Sequence, residues 1–288
     1  MTILVTAASG QLGALVVEAL RERGVQPSEI VATSRDPRRL AHLAAEGVRT
    51  AELDYDKPDT IAAALEGVER VLLVSGSQPG ARLAGHRNVI EAAARAGVAQ
   101  LAYTSLLDAA DADFVLAPDH KATEELLARA GVPVVLLRNG WYIENHAHEV
   151  RQAVETGVIT HSAGSGVIAS AARRDYAEAA AAVLTAPLEE YNGSTLELAA
   201  TDGWSYDDLA GAVAEIVGRE VRYERLDADE HVARLRAYGL DEGTAGFVAA
   251  IDDGVARGVL ASTDPTLARV IGRPLTPRED VIRALLAA

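Results

Sequence analysis

The stretch from Thr2 to Arg23 most limits what this chain can fold into. Thr2-Ile3-Leu4-Val5-Thr6 is short, apolar and β-branched, and Ala7-Ala8-Ser9-Gly10 is a turn of small residues. Leu12, Leu15, Val16, Ala19 and Leu20 then recur at three- and four-residue intervals, which marks one face of a helix. A strand that turns tightly into a helix aims the first helical N–H groups beyond the strand tip. Those groups and the helix dipole suit a phosphate. Gly10 and Gly13 would let the phosphate reach the backbone and let helix pack on strand. The spacing Ala7-x-x-Gly10-x-x-Gly13 lacks the first glycine of the full three-glycine fingerprint. Plain turn geometry accounts for such spacing equally well, but the flanking strand and helix favour the nucleotide reading.

The pattern then repeats. Glu29–Ser34, Val48–Leu53, Arg70–Ser75, Gln100–Ser105 and Val132–Arg138 read as strands. Helical segments at Pro37–Glu46, Pro58–Glu66, Arg82–Ala96 and Asp119–Ala130 separate them. Six strands alternating with helices predict an α/β fold, a Rossmann-type doubly wound parallel sheet, over residues 1–150. Residues 151–288 are expected to form a smaller, mixed substrate lobe that returns strands to the core. From Glu144 onward, Glu144–Glu155, Asp175–Leu184, Tyr206–Val217, Asp229–Tyr238 and Glu242–Val255 read as helices and Ser194–Leu198 as a strand. The glycine-punctuated Val158–Ala169 suggests a hairpin. Thr276 is expected to cap a last helix, with Glu279 closing a capping box.

Composition narrows the function. The chain has no cysteine, which excludes disulfides, thiolate metal sites and cysteine nucleophiles. A net charge of −15 without a basic patch argues against nucleic acid. No run approaches the ~20 apolar residues of a membrane helix. Residues 3–5 run directly into a structural strand, so no leader is expected and cytoplasm is the expected compartment. A homodimer is left open.

Candidate ligand groups gather at the strand ends, where such sheets bind cofactors. Arg35 follows the second strand and could fork onto a 2′-phosphate, which favours NADP(H); Asp36 could instead serve NAD, or cap the next helix with Pro37 at its first position. Asp54 could accept from an adenine amino group or simply cap a loop. Ser75-Gly76-Ser77 is small enough for a cofactor to lie across. Ser105 occupies the place of the short-chain dehydrogenase serine, and Lys121 lies on the following helix, but Ala117 stands where the Tyr-x-x-x-Lys tyrosine would be. Reducing a simple ketone needs that acid, because an alkoxide is strongly basic. Hydride addition to a quinone leaves a phenolate that water can protonate. His120 could supply a proton or hydrogen bond, or be structural. Trp141 and Tyr142 could wall a flat ring or pack in the core, and Arg173 could reach a substrate or cofactor oxygen or form a surface ion pair. His146 and His148, with Glu144 and Glu149 nearby, invite a metal, but helix positions two apart diverge, so none is expected.

Four segments carry a family likeness: Val5-Thr6-Ala7-Ala8-Ser9-Gly10-Gln11-Leu12-Gly13, Thr104-Ser105-Leu106-Leu107, His120-x-x-Thr123-Glu124, and Leu137-Arg138-Asn139-Gly140-Trp141-Tyr142-x-Glu144-Asn145. Ile168-Ala169-Ser170-Ala171, Arg173 and Asp175-Tyr176-Ala177 continue it. Together they resemble the NmrA-like atypical short-chain dehydrogenases, and among these the flavin-free bacterial NADPH:quinone oxidoreductases. The resemblance implies hydride transfer from NADPH to a quinone without flavin or metal. It places the phosphate loop on Thr6, Gly10, Gln11, Leu12 and Gly13, and the 2′-phosphate arginine on Arg35. It places the nicotinamide-side contacts on Ser75, Gly76, Asn139, Gly140, Trp141, Tyr142 and Arg173. Ala7 departs from the family's first glycine, and its methyl is expected to crowd the turn or loosen the cofactor. Two alternatives fit the missing tyrosine: a non-catalytic NADP(H)-sensing regulator, and a biosynthetic enone or quinone reductase.

Overall fold

The computed structural model describes residues 1–76, 78 and 80–287; Ser77 of the expected Ser75-Gly76-Ser77 segment lies outside these. The strands are β1 (Ile3–Val5), β2 (Ile30–Ser34), β3 (Arg49–Glu52), β4 (Arg70–Leu73), β5 (Gln100–Leu106), β6 (Val134–Asn139), β7 (Trp141–Tyr142), β8 (Val158–His161), β9 (Val167–Ile168), β10 (Ser170–Ala171), β11 (Thr195–Leu198), β12 (Trp204–Ser205) and β13 (Arg222–Arg225). The helices are α1 (Gln11–Glu22), α2 (Ala41–Ala45), α3 (Pro58–Ala64), α4 (Leu83–Ala96), α5 (Ala117–Leu127), α6 (Ala147–Thr156), α7 (Arg173–Thr185), α8 (Leu188–Tyr191), α9 (Tyr206–Val217), α10 (Ala228–Ala237), α11 (Glu242–Ala256), α12 (Thr266–Ile271) and α13 (Arg278–Ala287).

Seven strands form one sheet in the order β11-β6-β5-β4-β1-β2-β3, with every neighbouring pair parallel. Alternation along each strand divides its apolar residues between the two faces. Ile3 and Val5 join the face covered by Val16, Val17 and Leu20 of α1 and by the alanines of α7. Leu4 joins the opposite face, with Ile61 of α3 and Val89, Ile90 and Ala93 of α4. Burial on both sides explains why the central strands read as continuous apolar runs. The chain leaves β1 toward β2 and later returns to β4 on the other side. The resulting switch point lies between the tips of β1 and β4, where an open α/β sheet forms its ligand crevice.

Residues beyond 150 interleave with this core, since α7 packs on α1 and β11 extends the sheet beside β6. Segments β8, β9, β12, β13, α9 and α11 surround a separate apolar cluster that includes Phe114, Ile168, Trp204, Tyr206, Leu209 and Val255, while α12 packs on α7.

Two local expectations are corrected. Val158–Ala169 is not a hairpin: β8 pairs in parallel with β13, and β9 pairs antiparallel with β12. Gly166 is small because a Cβ there would lie 2.4 Å from the Val255 carbonyl oxygen of α11. Thr276 does not cap α13. Its hydroxyl and N–H donate to Asp175 at 2.8 and 3.0 Å. Asp175 is fully buried and also accepts from Arg273 at 2.7 Å, so it needs these donors.

The lobe buries an ionic cluster. His161 Nδ1 lies 3.0 Å from Asp252, and its Nε2 lies 3.5 Å from Glu149. Asp252 also accepts from the Ser162 N–H at 2.7 Å and lies 3.0 Å from His231 Nδ1. Burial alone would lower the His161 pKa, but hydrogen bonds to Asp252 and Glu149 outweigh it and push the value up to about 9. The folded protein thus holds this proton more tightly than the unfolded chain. The stabilisation is fully present below the ordinary histidine value near 6.5 and is lost as pH rises through about 9. Thermal melts should therefore fall between those values. His161→Phe should lower the midpoint at neutral pH and flatten the fall; an unchanged slope would show that another group supplies it.

Candidate functional site

The site begins at the β1–α1 turn. Ala7 adopts a left-handed conformation with φ +50°, and its carbonyl accepts from the Gly10 N–H at 2.9 Å. A non-glycine residue there stores on the order of 1 kcal/mol. The turn nonetheless closes, with Ala7 packed against the core cluster under α1. Gly10 is the extended N-cap residue (φ −90°, ψ 170°), and no side chain caps the helix. The first turn of α1 carries no acidic residue either. Its leading N–H groups are left for solvent or an anion. Gly13 cannot be replaced cheaply, since a Cβ would lie 2.4 Å from the Ala7 carbonyl oxygen. Gln11 is exposed at the helix start, and Leu12 is buried in the core. Thr6 is fully buried and stitches strand tips together: it accepts from the Val74 N–H at 2.9 Å and pairs at 2.6 Å with the Tyr55 hydroxyl, which donates to the Val74 carbonyl.

At the β2 tip Arg35 is exposed, and among the described residues it makes no side-chain hydrogen bond or ion pair. Asp36 is engaged. It caps the turn that follows by accepting from the Arg38 N–H at 3.1 Å, and it takes the Arg38 guanidinium at 2.8 and 2.9 Å. That contact lowers its pKa. Ser34 and Ser9 join their hydroxyls at 2.8 Å between the β2 tip and the glycine turn. Asp54, past β3, accepts from the Asp56 N–H at 3.2 Å, and so carries out the loop-capping role.

Past β4, the Ser75 N–H donates to Thr104 at 2.9 Å, and the Gly76 N–H donates to His86 Nε2 at 2.9 Å. The Gly76 carbonyl accepts from Arg82 at 3.1 Å. Arg82 also donates to Asp119 at 3.0 Å and to His120 Nε2 at 3.3 Å. His120 itself is placed differently from a proton donor facing a cleft. It is buried, its Nδ1 bonds the Tyr103 hydroxyl at 2.9 Å, and burial together with Arg82 depresses its pKa to about 3. A neutral ring with both nitrogens engaged has a structural part to play. Ser105, at the end of β5, donates to Glu124 at 2.6 Å, while Arg138 binds both Glu124 oxygens at 2.9 and 2.6 Å. The Lys121 side chain lies exposed.

The β6 tip completes the row. Asn139 is buried, donates to the Tyr142 hydroxyl at 3.2 Å, and has an Oδ1 with no partner among the described residues. Gly140 allows the Tyr176 hydroxyl to come close, because a Cβ would lie 2.9 Å from it. Trp141 is half-buried, edge-on to Phe114 with ring centroids 6.4 Å apart. The Arg173 guanidinium lies 5.1 Å from the Tyr142 ring centroid, a cation–π contact, and the Arg173 N–H donates to both Glu144 oxygens at 3.0 Å. Burial raises the Tyr142 pKa, so its hydroxyl stays protonated and available as a donor. His146 is buried and His148 exposed, so the two rings do not share a side of the helix.

Neutral His86, Arg82 and Asp119 were not identified from the sequence. The only local signal was an arginine immediately before a helix. Tyr55 gave none, since its partner strand tips are distant in sequence.

A family profile described as NAD(P)H-binding matches residues 7–187. Quinone oxidoreductase 2 of Escherichia coli (strain K12) is 42% identical over 274 residues, covering 95% of this chain and 95% of that protein. A crystal structure of the E. coli NADPH-dependent quinone oxidoreductase QOR2 complexed with NADPH superposes with a TM-score of 0.93 at 41% identity, covering 99% of this chain and all of that one. An NmrA-like family domain-containing oxidoreductase of Aspergillus flavus is 29% identical, covering 99% of this chain and 95% of its own. With Arg35 an uncommitted cation at the β2 tip, Arg35→Ala should weaken NADPH binding by about 2 kcal/mol, as for a lost charge-assisted hydrogen bond, while leaving NADH binding unchanged. Titrating both nucleotides checks this; an equal loss for both would assign Arg35 no part in selecting the 2′-phosphate.

Proposed function

The chain belongs to the NAD(P)H-binding, NmrA-like family, and from that premise we propose that it reduces quinones or quinone-like acceptors by direct hydride transfer from NADPH. The dinucleotide would lie along the strand tips. Its phosphates would meet the uncapped start of α1, its 2′-phosphate Arg35, and its nicotinamide the Ser75-Gly76 and Asn139–Tyr142 segments. The unpartnered Asn139 Oδ1 supports this placement, since it offers an acceptor at the nicotinamide end.

The observation that carries the acceptor class is the missing acid. Ala117 stands where a ketone reductase has its tyrosine, the Lys121 side chain is exposed, and Ser105 is committed to Glu124. A hydride delivered to a quinone, with its electron pair, leaves a hydroquinone anion of roughly phenolic basicity, about pKa 10, which water can protonate. Overall, NADPH, quinone and one proton give NADP⁺ and hydroquinone. Arg173 over the Tyr142 ring supplies fixed positive charge for the developing oxyanion, and the Tyr142 hydroxyl can donate a hydrogen bond to it. Absence of flavin and metal, and action on freely diffusing small molecules, belong to the same reading.

NADPH oxidation over a panel of benzo- and naphthoquinones tests it. Turnover with quinones but not with simple ketones is expected. Arg173→Ala should lower kcat/KM for the quinone by about tenfold or more, with NADPH affinity unchanged. Tight NADPH binding with no turnover on any quinone would contradict the enzyme reading and favour the sensor.

A further inference from the structure

The β4–α4 connection carries a buried polar arrangement whose two gripping side chains, Arg82 and His86, lie outside every motif identified above. Gly76 is gripped on both sides of its backbone. Its N–H donates to His86 Nε2 at 2.9 Å, and its carbonyl accepts from Arg82 Nη1 at 3.1 Å. Both side chains are buried: His86 is fully inaccessible and Arg82 is 9% exposed.

The two grips are themselves fixed. His86 accepts at Nε2, so Nδ1 carries the proton and donates to the Thr123 hydroxyl at 3.0 Å, and that hydroxyl donates in turn to the Asp119 carbonyl at 2.8 Å. The Asp119 carboxylate receives Arg82 Nε at 3.0 Å. Arg82 Nη1 also meets His120 Nε2 at 3.3 Å, and Tyr103 holds the far side of that ring. Two imidazoles are therefore kept as neutral acceptors beside one guanidinium. Burial and the nearby Arg82 charge lower the pKa of His86 to about 4, so it remains an acceptor at neutral pH. A Cβ on Gly76 would approach the Arg82 Cβ to 3.2 Å, so the glycine and the arginine stem are in close contact.

This costs a buried charge and leaves Arg82 Nη2 without a partner among the described residues. Apolar packing could tether the start of α4 more cheaply. What it gains is a fixed peptide orientation at the β4 tip, directly across the switch point from the glycine turn. A backbone segment that a cofactor lies against must not rotate between turnovers.

We propose that Arg82 and His86 are positioning residues for the nicotinamide half of the cofactor, acting through Gly76 rather than by touching the ligand. This rests on the reading that a nicotinamide nucleotide crosses the β4 tip, but not on which acceptor it reduces.

The test is NADPH affinity, measured directly by titration without any acceptor, in the full-length protein. His86→Phe fills the space but removes the acceptor, and His86→Gln restores an acceptor near the same place. Arg82→Lys keeps a charge opposite Asp119 but loses the fork. Loss of one buried hydrogen bond predicts about tenfold weaker NADPH binding for His86→Phe and Arg82→Lys, and recovery to within about twofold for His86→Gln. In turnover the KM for NADPH should rise while the KM for the quinone stays put. A lower melting temperature with unchanged affinity in both the Phe and Lys variants would overturn the proposal by making the residues merely structural. So would a Gln variant that folds like the parent yet binds as weakly as the Phe variant. Should His86→Phe not fold, Arg82→Lys and His86→Gln carry the same test. If quinone turnover is absent but these affinities move as expected, the acceptor assignment fails and the positioning role stands.

Discussion

The whole arrangement depends on how closely α1 can approach the turn that precedes it. A Cβ on Gly13 would lie 2.4 Å from the Ala7 carbonyl oxygen, so only glycine lets the helix start where it does. That contact fixes the direction of α1, and its direction aims the first helical N–H groups past the β1 tip. In α9, α10 and α11 the side chains of Ser205, Asp227 and Asp241 satisfy such groups. In α1 no side chain does, and the first turn holds no carboxylate to cancel the dipole. Even with Ala7 in a strained left-handed conformation, the turn keeps its 2.9 Å hydrogen bond to Gly10.

The sheet extends this uncapped helix start into an elongated row of strand tips. Adjacent parallel strands end along one edge, and β2, β1, β4, β5 and β6 span roughly 20 Å at ordinary strand spacing. Along that edge lie the exposed Arg35, the glycine turn, the clamped Gly76 and the Asn139–Tyr142 segment. Behind it, the polar groups are committed to one another. Ser105, Glu124, Arg138 and Glu197 form one chain of charge-assisted hydrogen bonds, and Arg82 forms another with Asp119 and His120. Such networks hold the strand tips rigid.

The parallel sheet was legible because its signals are local. The central strands β1, β2 and β4 are buried along their whole length, each turn follows directly, and Gly97 ends α4 in the left-handed conformation (φ 66°). Asp36 likewise caps the turn that Pro37 opens. The misreadings involve partners far away in sequence. Val158–His161 pairs with Arg222–Arg225, so no neighbouring turn could reveal it. Thr276 looked like a helix cap because Asp175, which takes its hydroxyl, is 101 residues away. His120 has the position of a proton donor, and only the fold brings Arg82 and Tyr103 to its two nitrogens. The tips themselves could be read, but the networks that stiffen them could not.

The central claim is that the nicotinamide hydride passes directly to the acceptor beside it. The most direct measurement compares NADPH oxidation by a soluble benzoquinone with hydrogen or deuterium on the transferred face of nicotinamide C4, using purified protein whose visible spectrum shows no flavin. Direct transfer predicts slower oxidation with deuterium in single turnover and no spectral intermediate. Activity that appears only when flavin is added would contradict it.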